Sequence, residues 1–391
     1  MSAPRAVVVC AHAPFPVISG GRKRTVRLLE AMQRAGAIPH IVTHDQIPEA
    51  EPEARERGWG YEVIPPPVGT LRNRFRQHVR SEAAPHSAAM ADRLRELAAD
   101  AAFMQFEEIG SAQYVHAVPS DTSTIVSLYN VDSAVFRDAA RLEGGEAQAW
   151  RSLYRVKRME RTERHAARRA NAVLAVSDHD RAQFAKWRAR QALLVPNGVD
   201  RELFGIPAGV PPGERVLFFG QFGWRPNVAG LLRYLTEAWP RVAAARPHAE
   251  LRIAGPSAKQ AVREAASAQP RVEVLGFVDD LLAELATARV TIAPLWVGGG
   301  TRIKVLEAMA AARPVIGTTI GVEQIGFEHD RHGLVADTPE GLAEATVSVL
   351  AEDGLATRLG AEARQLAQGY RWETTTAPAE QLYRDAVAGR L

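Results

Sequence analysis

Residues 290–310 decide the fold, and they read VTIAPLWVGGGTRIKVLEAMA. An apolar run suited to a buried strand, residues 290–293, breaks at Pro294 and leads into three consecutive glycines at residues 298–300. A helical pattern follows, and we predict a helix over residues 301–312. Glycines let backbone N–H groups approach an anion closely, and a helix N-terminus adds uncapped donors and partial positive charge. The stretch therefore predicts a strand, a loop and a helix that together hold a phosphate.

The polar residues of the predicted helix suit an anion followed by a group that bears hydroxyls. Thr301, Lys304 and Glu307 recur at a spacing of three and so share one face, opposite an apolar face that includes Leu306 and Ala310. A cation beside the glycines suits a diphosphate, and a carboxylate one turn further along the helix suits the hydroxyls of a ribose. The pattern predicts a nucleotide cradle for a nucleotide sugar.

Composition limits the remaining possibilities. The chain has 391 residues, of which 46% are hydrophobic, enough for two or three domains with substantial cores. No apolar stretch is long enough to span a bilayer, and the short apolar run at residues 6–11 lacks the features of a signal peptide. Cys10 is the single cysteine, which excludes an intrachain disulfide and a cysteine metal cluster. These features favour a cytoplasmic protein.

The net charge is only +3, but arginines are concentrated in two places. One cluster consists of Arg72, Arg74, Arg76 and Arg80, and the other lies within residues 151–169. Such clusters could contact an anionic membrane surface, a polyanion or a phosphorylated acceptor. A solvated helix face is the favoured interpretation, and peripheral contact at the inner face of the membrane stays open.

Strand-length apolar runs alternate with helical patterns, which predicts parallel sheets with crossover helices. Strands are predicted at residues 6–11, 38–43, 61–64, 102–106, 123–128, 172–175 and 192–195, and, after a break, at 215–219, 250–253, 272–275, 290–293, 314–316 and 334–336. Helices are predicted at residues 22–35, 87–99, 133–141, 146–170 and 179–189, then at 227–245, 257–268, 281–288, 301–312, 341–350 and through the tail from 355. Residues 196–200 and 205–213 are interpreted as an interdomain linker.

Several segments, in order, resemble the motifs of retaining glycosyltransferases of family 4, which have the GT-B fold. The longest runs from Pro294 through the glycines to Glu307 and on to residues 314–316. The others are the glycine loop at residues 14–21, AVSD at 175–178, VPNGVD at 195–200, and the strand ends at 219–227, 253–256 and 275–278. The resemblance covers nearly the whole chain.

The resemblance implies an α/β protein with two Rossmann-like domains facing across a cleft. An N-terminal domain, residues 1–196, would bind the acceptor, and a C-terminal domain, residues 197–369, would bind the nucleotide sugar. Residues 370–391 would cross back to the N-terminal domain, with a last helix at about residues 372–389.

The resemblance also implies an activity: transfer of a sugar from a nucleotide donor to an acceptor hydroxyl, with retention of configuration and without a metal. A UDP- or GDP-sugar would be the substrate, with no further cofactor. The expected catalytic residues are Glu307, Lys304, Arg225 and Tyr129. The expected donor-binding residues are Gly20, Gly21, Gly220, Arg225, Phe277, Val278, Gly298, Gly299, Gly300, Thr301, Arg302, Lys304 and Glu307. Among them, Glu307 would accept hydrogen bonds from the ribose, and the backbone at Phe277 and Val278 would meet the base.

Two positions depart from the family pattern. Gly299 stands where the family often has the first glutamate of a Glu-x7-Glu pair, so backbone N–H groups would serve instead of a side chain. Tyr129 stands where a histidine is common, and a phenol is a poor proton shuttle at neutral pH. Glu107, Glu108, Asn130 and Asp132 follow strands of the first domain and are candidate acceptor residues. The acceptor itself stays open among lipid-linked sugar, polysaccharide, peptide and small molecule.

Two alternatives remain beside the transferase. A nucleotide-sugar 2-epimerase shares the architecture and would use acid–base residues such as Glu107 and Glu108. The arginine clusters alternatively suggest a non-enzymatic protein, built on a degenerate transferase, that binds a polyanion or a membrane. No nucleic-acid partner is expected with the transferase function.

Overall fold

A computed structural model describes residues 3–66, 87–142 and 146–391 of the chain, without the side chains of residues 141–142 and 146–152. The chain divides into two compact units: unit 1 comprises Met1–Pro196 and Thr376–Leu391, and unit 2 comprises Asn197–Thr375. The first arginine cluster, residues 72–80, lies outside the described residues. No helix in the described ranges is both long and apolar enough to cross a bilayer.

Unit 1 is built on a seven-stranded parallel sheet with the order β3-β2-β1-β4-β5-β6-β7. Its strands are β1 Arg5–Cys10, β2 Ile38–Thr43, β3 Gly60–Val63, β4 Ala101–Glu107, β5 Thr124–Ser127, β6 Ala172–Ala175 and β7 Ala192–Leu194. Its helices are α1 Gly20–Arg34, α2 Ala50–Glu56, α3 Ala88–Ala98, α4 Glu108–Ala112, α5 Asp132–Leu142, α6 Glu146–Arg169, α7 Asp178–Lys186 and, in the tail, α16 Ala377–Val387.

Both faces of this sheet are buried. Successive side chains of a strand point to opposite faces, so one strand contributes to a core on each side of the sheet. Val7 and Val9 of β1 enter one hydrophobic core, whereas Ala6 and Val8 enter a second. The tail helix α16 contributes to the second core, where the ring of Tyr383 stacks on Phe103 at 5.4 Å. The tail is therefore part of the core of unit 1.

Unit 2 is built on a six-stranded parallel sheet with the order β10-β9-β8-β11-β12-β13. Its strands are β8 Arg215–Phe219, β9 Glu250–Ala254, β10 Val272–Gly276, β11 Val290–Ala293, β12 Val315–Gly317 and β13 Gly333–Val335. Its helices are α8 Arg225–Arg233, α9 Trp239–Ala245, α10 Gln260–Ser267, α11 Leu281–Thr287, α12 Ile303–Ala310, α13 Pro339–Ala351, α14 Asp353–Ala367 and α15 Trp372–Thr375.

The strand order creates one switch point in each sheet. In unit 1 the chain moves outward from β1 toward β3 and then returns to place β4 on the other side of β1. In unit 2 the same reversal lies between β8 and β11. Loops leaving the carboxyl ends of the two strands at a switch point diverge, and the crevice between them is where ligands bind in open parallel sheets. A ligand site is therefore expected at the loops that follow β1, β4, β8 and β11.

The predicted strands are confirmed throughout the described residues, each within a few residues of its predicted bounds. The helices differ in more places. Helix α2 was not predicted, and the helix predicted over residues 227–245 is interrupted by a π-helical turn at Tyr234–Ala238. Helix α1 begins at Gly20, because the Ser19 hydroxyl caps it by accepting from the Arg22 N–H at 3.2 Å. The two glycines predicted to precede this helix are its first two residues.

The helix predicted over residues 301–312 begins later than expected. Helix α12 starts at Ile303, with Arg302 as the extended N-cap residue. Thr301 is held outside the helix, since its carbonyl accepts from the Asn197 side-chain amide at 3.1 Å and its hydroxyl accepts from the Asn197 N–H at 3.3 Å. The prediction that Thr301 shares a helix face with Lys304 was therefore wrong.

The start and end of unit 2 are joined by short backbone contacts. The Val199 N–H donates to the Tyr370 carbonyl at 2.8 Å, and the Trp372 N–H donates to the Val199 carbonyl at 3.3 Å. These bonds tie residues 370–375 to the segment that opens unit 2. The chain consequently returns to unit 1 at Thr376, later than the predicted residue 370.

The core of unit 2 beneath α12 yields a stability prediction. Leu306 is fully buried, so Leu306→Ala leaves a cavity and should destabilise unit 2 by about 2–5 kcal/mol. Leu282 on α11 is 38% exposed and serves as the control, since Leu282→Ala removes the same atoms from a surface position. Urea unfolding followed by circular dichroism measures both. Equal shifts in the two variants would contradict this packing.

Candidate functional site

The triple-glycine loop after β11 is organised by the side chain of Arg302. One terminal nitrogen of its guanidinium donates to the carbonyls of Gly299 and Gly300, the latter at 2.7 Å. The other donates to the Ile320 carbonyl at 3.0 Å and to the Glu323 carboxylate at 3.2 Å. The side chain is only 8% exposed, so these are buried, charge-assisted bonds.

This arrangement turns the loop's amide groups in one direction. In a trans peptide the carbonyl oxygen and the following N–H point to opposite sides. With the carbonyls of Gly299 and Gly300 facing Arg302, the N–H groups of Gly300 and Thr301 face the other way. A Cβ at residue 298 would lie 2.5 Å from the guanidinium, so a larger residue there would displace the Arg302 side chain. The loop thus presents adjacent donors suited to an anion.

Lys304 connects this loop with the loop after β8. Its Nζ donates to the Asn227 side-chain oxygen at 2.9 Å and lies 4.5 Å from the centre of the Phe218 ring. Asn227 in turn donates to the Gln221 carbonyl at 2.9 Å, next to Gly220. Desolvation, with the positive charge of Arg302 nearby, lowers the pKa of Lys304 to about 7. An anion bound at this point would restore the charged form.

Glu307 lies one turn after Lys304 on α12 and is 6% exposed. Arg225 begins α8 and is exposed, at the end of the loop that leaves β8. Phe277 and Val278 follow β10, and the Phe277 side chain is 54% exposed, an unusual state for an aromatic ring. The predicted donor residues of unit 2 therefore lie on loops at the carboxyl ends of β8, β10 and β11, or on the helices that follow them.

In unit 1, the predicted glycines meet the predicted tyrosine. A Cβ at Gly21 would lie 2.7 Å from the Tyr129 ring, so glycine lets the ring lie against the start of α1. The Tyr129 hydroxyl forms a short hydrogen bond with the Thr25 hydroxyl. Burial, together with the charges of Glu107 and Glu108, raises the pKa of Tyr129 well above its ordinary value. The residue is a neutral phenol that can donate a hydrogen bond.

Glu107 ends β4 and is almost completely buried. Its side chain accepts from the Gln105 amide, and the charge of Arg24 favours its ionised form. Arg24 is equally buried and donates to the Val195 carbonyl at 2.7 Å. Desolvation outweighs these contacts and raises the pKa of Glu107 to about 7. Glu107 is therefore buried in unit 1, whereas an acceptor hydroxyl would need a more accessible group.

Glu108, the neighbouring residue, reaches the surface. It has a backbone φ of 67° and its side chain is 25% exposed. Its carboxylate lies 4.0 Å from Nε2 of His12, and Nδ1 of His12 lies 3.5 Å from the Asp45 carboxylate. Burial raises the pKa of Glu108 to about 7, while Asp45 raises the pKa of His12.

Asn130 lies between β5 and α5, and Asp132 is the first residue of α5. The Asn130 side chain bonds to the Asp132 carboxylate. Burial, together with the charge of Asp180, raises the pKa of Asp132 to about 6. Both residues thus belong to a polar network at the start of α5. Within the described ranges, no three His, Cys, Asp or Glu side chains are grouped so that they could hold a metal ion.

The sequence prediction missed Asp45 and Asn227 as members of these groups, and it interpreted His12 as an ordinary loop histidine on the ligand side of the sheet. Each follows a strand at a carboxyl end: His12 follows β1, Asp45 follows β2 and Asn227 lies after β8. Their positions after strands could have been recognised in the sequence. Position alone does not show which side chains contact one another.

Comparison with known proteins identifies the second unit. Residues 213–352 match the family described as glycosyl transferases group 1. They form a glycosyl transferases group 1 domain. The match contains β8 to β13, with the glycine loop and Lys304, and thus most of unit 2.

One curated relative is the phosphatidyl-myo-inositol mannosyltransferase of Mycolicibacterium smegmatis, 30% identical over 226 residues. The matched region is 55% of this chain and 57% of that protein, so the chain spans little more than half the relative's length. The resemblance of the motifs to GT-B glycosyltransferases of family 4 is confirmed by the group 1 domain together with this relative and the fold.

Two solved structures show the fold. Sucrose-phosphate synthase from Thermosynechococcus elongatus has a TM-score of 0.73 at 19% identity, covering 98% of this chain and 99% of that one. HepE of Anabaena, solved with UDP and glucose, has a TM-score of 0.70 at 14% identity, covering 96% of this chain and 98% of that one. The chain that carries the group 1 domain therefore has the GT-B fold, with two Rossmann-like domains.

The buried carboxyl of Glu107 yields a pH prediction. Its pKa is raised from 4.5 to about 7. Between these two pH values the folded protein therefore keeps a proton on Glu107 that the unfolded protein has lost. Stability contributed at this site therefore falls as pH rises from about 4.5 to 7, by up to about 3 kcal/mol. Glu107→Gln keeps the hydrogen-bonding shape without titrating.

We expect the difference in melting temperature, Glu107→Gln minus wild type, to be larger at pH 8 than at pH 5. Asp100→Asn, at the exposed residue just before the same strand, is the control and should show no such change. A difference between Glu107→Gln and wild type that stays constant with pH would show that Glu107 ionises freely.

Proposed function

We propose that this chain transfers a sugar from a nucleoside diphosphate sugar to an acceptor hydroxyl, and that unit 2 binds the donor. One observation carries the proposal: the switch point between β8 and β11 brings the glycine loop, Lys304 and Asn227 together inside the group 1 domain. The HepE structure contains UDP and glucose, which supports a UDP-sugar as the first donor to test.

The contacts suggest a role for each donor residue. The N–H groups of Gly300 and Thr301 would bind diphosphate oxygens, and Arg302 would act by holding the loop rather than by touching the phosphate. Lys304 would place its charge on the same diphosphate. Glu307, deeper on α12, would accept hydrogen bonds from the ribose hydroxyls. The exposed Phe277 ring would offer the base an apolar surface.

The same residues would serve the chemical step. As the bond between the sugar and the diphosphate breaks, negative charge grows on the leaving phosphate. Fixed amides and an ammonium group stabilise that charge without reorganisation. We propose that they do so without a divalent metal, with Arg225 adding a further positive charge.

Retention of configuration is also part of the proposal. The acceptor oxygen would bond to the anomeric carbon on the face that the diphosphate leaves, and the leaving phosphate would take the acceptor's proton. This route needs no protein base, so a tyrosine at position 129 is tolerated. As a neutral phenol, Tyr129 would donate a hydrogen bond to a substrate hydroxyl. The epimerase and polyanion alternatives are not favoured, since the family description and the relative's name are those of glycosyltransferases.

Donor binding can be tested by thermal stabilisation with UDP-glucose, UDP-N-acetylglucosamine and GDP-mannose, because a ligand that binds only the folded state raises the melting temperature. We expect at least one to stabilise the wild type. Glu307→Gln should weaken binding about tenfold or more, the effect of losing a hydrogen bond to a charged group. Glu344→Gln, at an exposed position of α13, is the control and should bind normally.

The proposal fails if none of these nucleotide sugars stabilises the wild type. The role of Glu307 fails separately if Glu307→Gln and Glu344→Gln bind the donor equally well. Product stereochemistry, read by proton NMR of the anomeric signal, then tests retention.

Donor affinity should also depend on pH through Lys304. Its pKa is about 7 in the free protein, so the ammonium that the diphosphate needs is lost as pH rises. The affinity for a UDP-sugar, whose diphosphate does not titrate near neutrality, should fall between pH 6.5 and 8.5, by up to about tenfold per unit above the pKa. Calorimetry should show proton uptake on binding at the higher pH.

Lys304→Met should bind weakly and show a flat pH profile. Lys186→Met, at an exposed lysine of unit 1, is the control and should keep the wild-type slope. A wild-type affinity that does not change over this range would contradict the contact between Lys304 and the diphosphate.

A further inference from the structure

The switch point of unit 1 carries a group of side chains that the donor chemistry leaves unused. Strands β2, β1 and β4 are neighbours. Asp45 follows the carboxyl end of β2, His12 that of β1 and Glu108 that of β4. Asp45 is anchored by the Ala13 N–H, which donates to its carboxylate at 3.0 Å. The position is the one at which open parallel sheets bind ligands.

The carboxylates of Asp45 and Glu108 lie on the two sides of the His12 imidazole. Asp45 lies 3.5 Å from one nitrogen of His12, and Glu108 lies 4.0 Å from the other. The second distance is too long for a direct hydrogen bond. A hydroxyl beside both groups could donate to the Glu108 carboxylate and accept from the imidazole N–H, because a hydroxyl is donor and acceptor at once.

The side chains are accessible and held in place. His12 is 64% exposed and Asp45 is 30% exposed, whereas Glu107 beside them is buried. Glu108 adopts a φ of 67°, which is uncommon for a residue with a side chain, and strained positions of this kind cluster at functional sites. The Ser111 hydroxyl donates to the Glu107 carbonyl at 2.5 Å and to the Glu108 carbonyl at 3.2 Å, which holds this turn.

The charges at the site select the ligand class. Asp45 and Glu108 would repel a phosphate, and a protonated His12 would repel an amine. An uncharged ring with hydroxyl groups suffers neither repulsion. We propose that His12 and Glu108 bind the acceptor hydroxyl, that Asp45 positions His12, and that the acceptor presents an uncharged sugar or polyol ring to this site. This inference rests on the proposed transferase function.

Saturation-transfer NMR on the full chain tests the ligand class, with myo-inositol and methyl α-glucopyranoside as neutral probes and inositol 1-phosphate as the charged one. We expect the wild type to bind at least one neutral probe more tightly than the phosphate. His12→Gln and Glu108→Gln should weaken that binding about tenfold, the effect of losing one charged hydrogen bond. Asp100→Asn, just before the opposite end of β4, is the matched control and should bind like the wild type.

Asp45→Asn tests the positioning role separately. Asp45 raises the pKa of His12, with Glu108 acting in the same direction and Arg22 in the opposite one. The His12 pKa, read from its imidazole NMR signals, should therefore fall in Asp45→Asn and stay unchanged in Asp100→Asn. An unchanged pKa would show that Asp45 does not act on His12.

The inference is overturned if the wild type binds neither neutral probe, if it prefers the phosphate, or if His12→Gln and Glu108→Gln bind the neutral probe as tightly as the wild type. Thermal stabilisation by UDP-sugars, measured on the same samples, reports on unit 2. If the wild type binds UDP-sugars but neither polyol probe, the acceptor site alone is refuted, whereas a wild type that binds no UDP-sugar refutes the proposed function.

Discussion

The guanidinium of Arg302 sets the direction of the peptide groups that follow β11. Three glycines in a row would otherwise have many backbone conformations open to them. Buried hydrogen bonds from one side chain to the carbonyls of Gly299 and Gly300 select one of these conformations, and the Glu323 carboxylate balances the charge. The amides of the loop, the start of α12 and the ammonium of Lys304 can then act on the same anion. Gly299 stands where the family pattern often has its first glutamate, and in this chain the loop is held by an arginine.

Parallel sheets with a reversed strand order place chemistry at predictable points. In each unit a group of polar side chains lies beside the switch point, between β1 and β4 in one and between β8 and β11 in the other. Unit 2 has basic groups and glycine amides there, which suit a diphosphate. Unit 1 has carboxyl groups and a histidine there, which suit hydroxyls. We therefore propose different ligands for the two units, which share one architecture and differ in the loops that leave their strands.

The strands and the fold class could be predicted from sequence, because apolar runs of strand length alternate with helical patterns, and this signal is local. The start of α12 could not, because the bond between Asn197 and Thr301 joins residues far apart in sequence. The role of Arg302 was hidden for a similar reason: spacing places it near the phosphate, whereas its contacts with Ile320 and Glu323 depend on the loop after β12. His12 and Asp45 are isolated residues in the sequence, and only the pairing of β1 with β2 brings them together.

A crystal structure of the full chain with UDP-glucose tests the central claim most directly. The account predicts that the diphosphate oxygens lie within hydrogen-bond distance of the Gly300 and Thr301 N–H groups and of Lys304 Nζ, with Arg302 still bound to the carbonyls of Gly299 and Gly300. A diphosphate bound elsewhere, or an Arg302 side chain that leaves the loop to contact the phosphate itself, would contradict it.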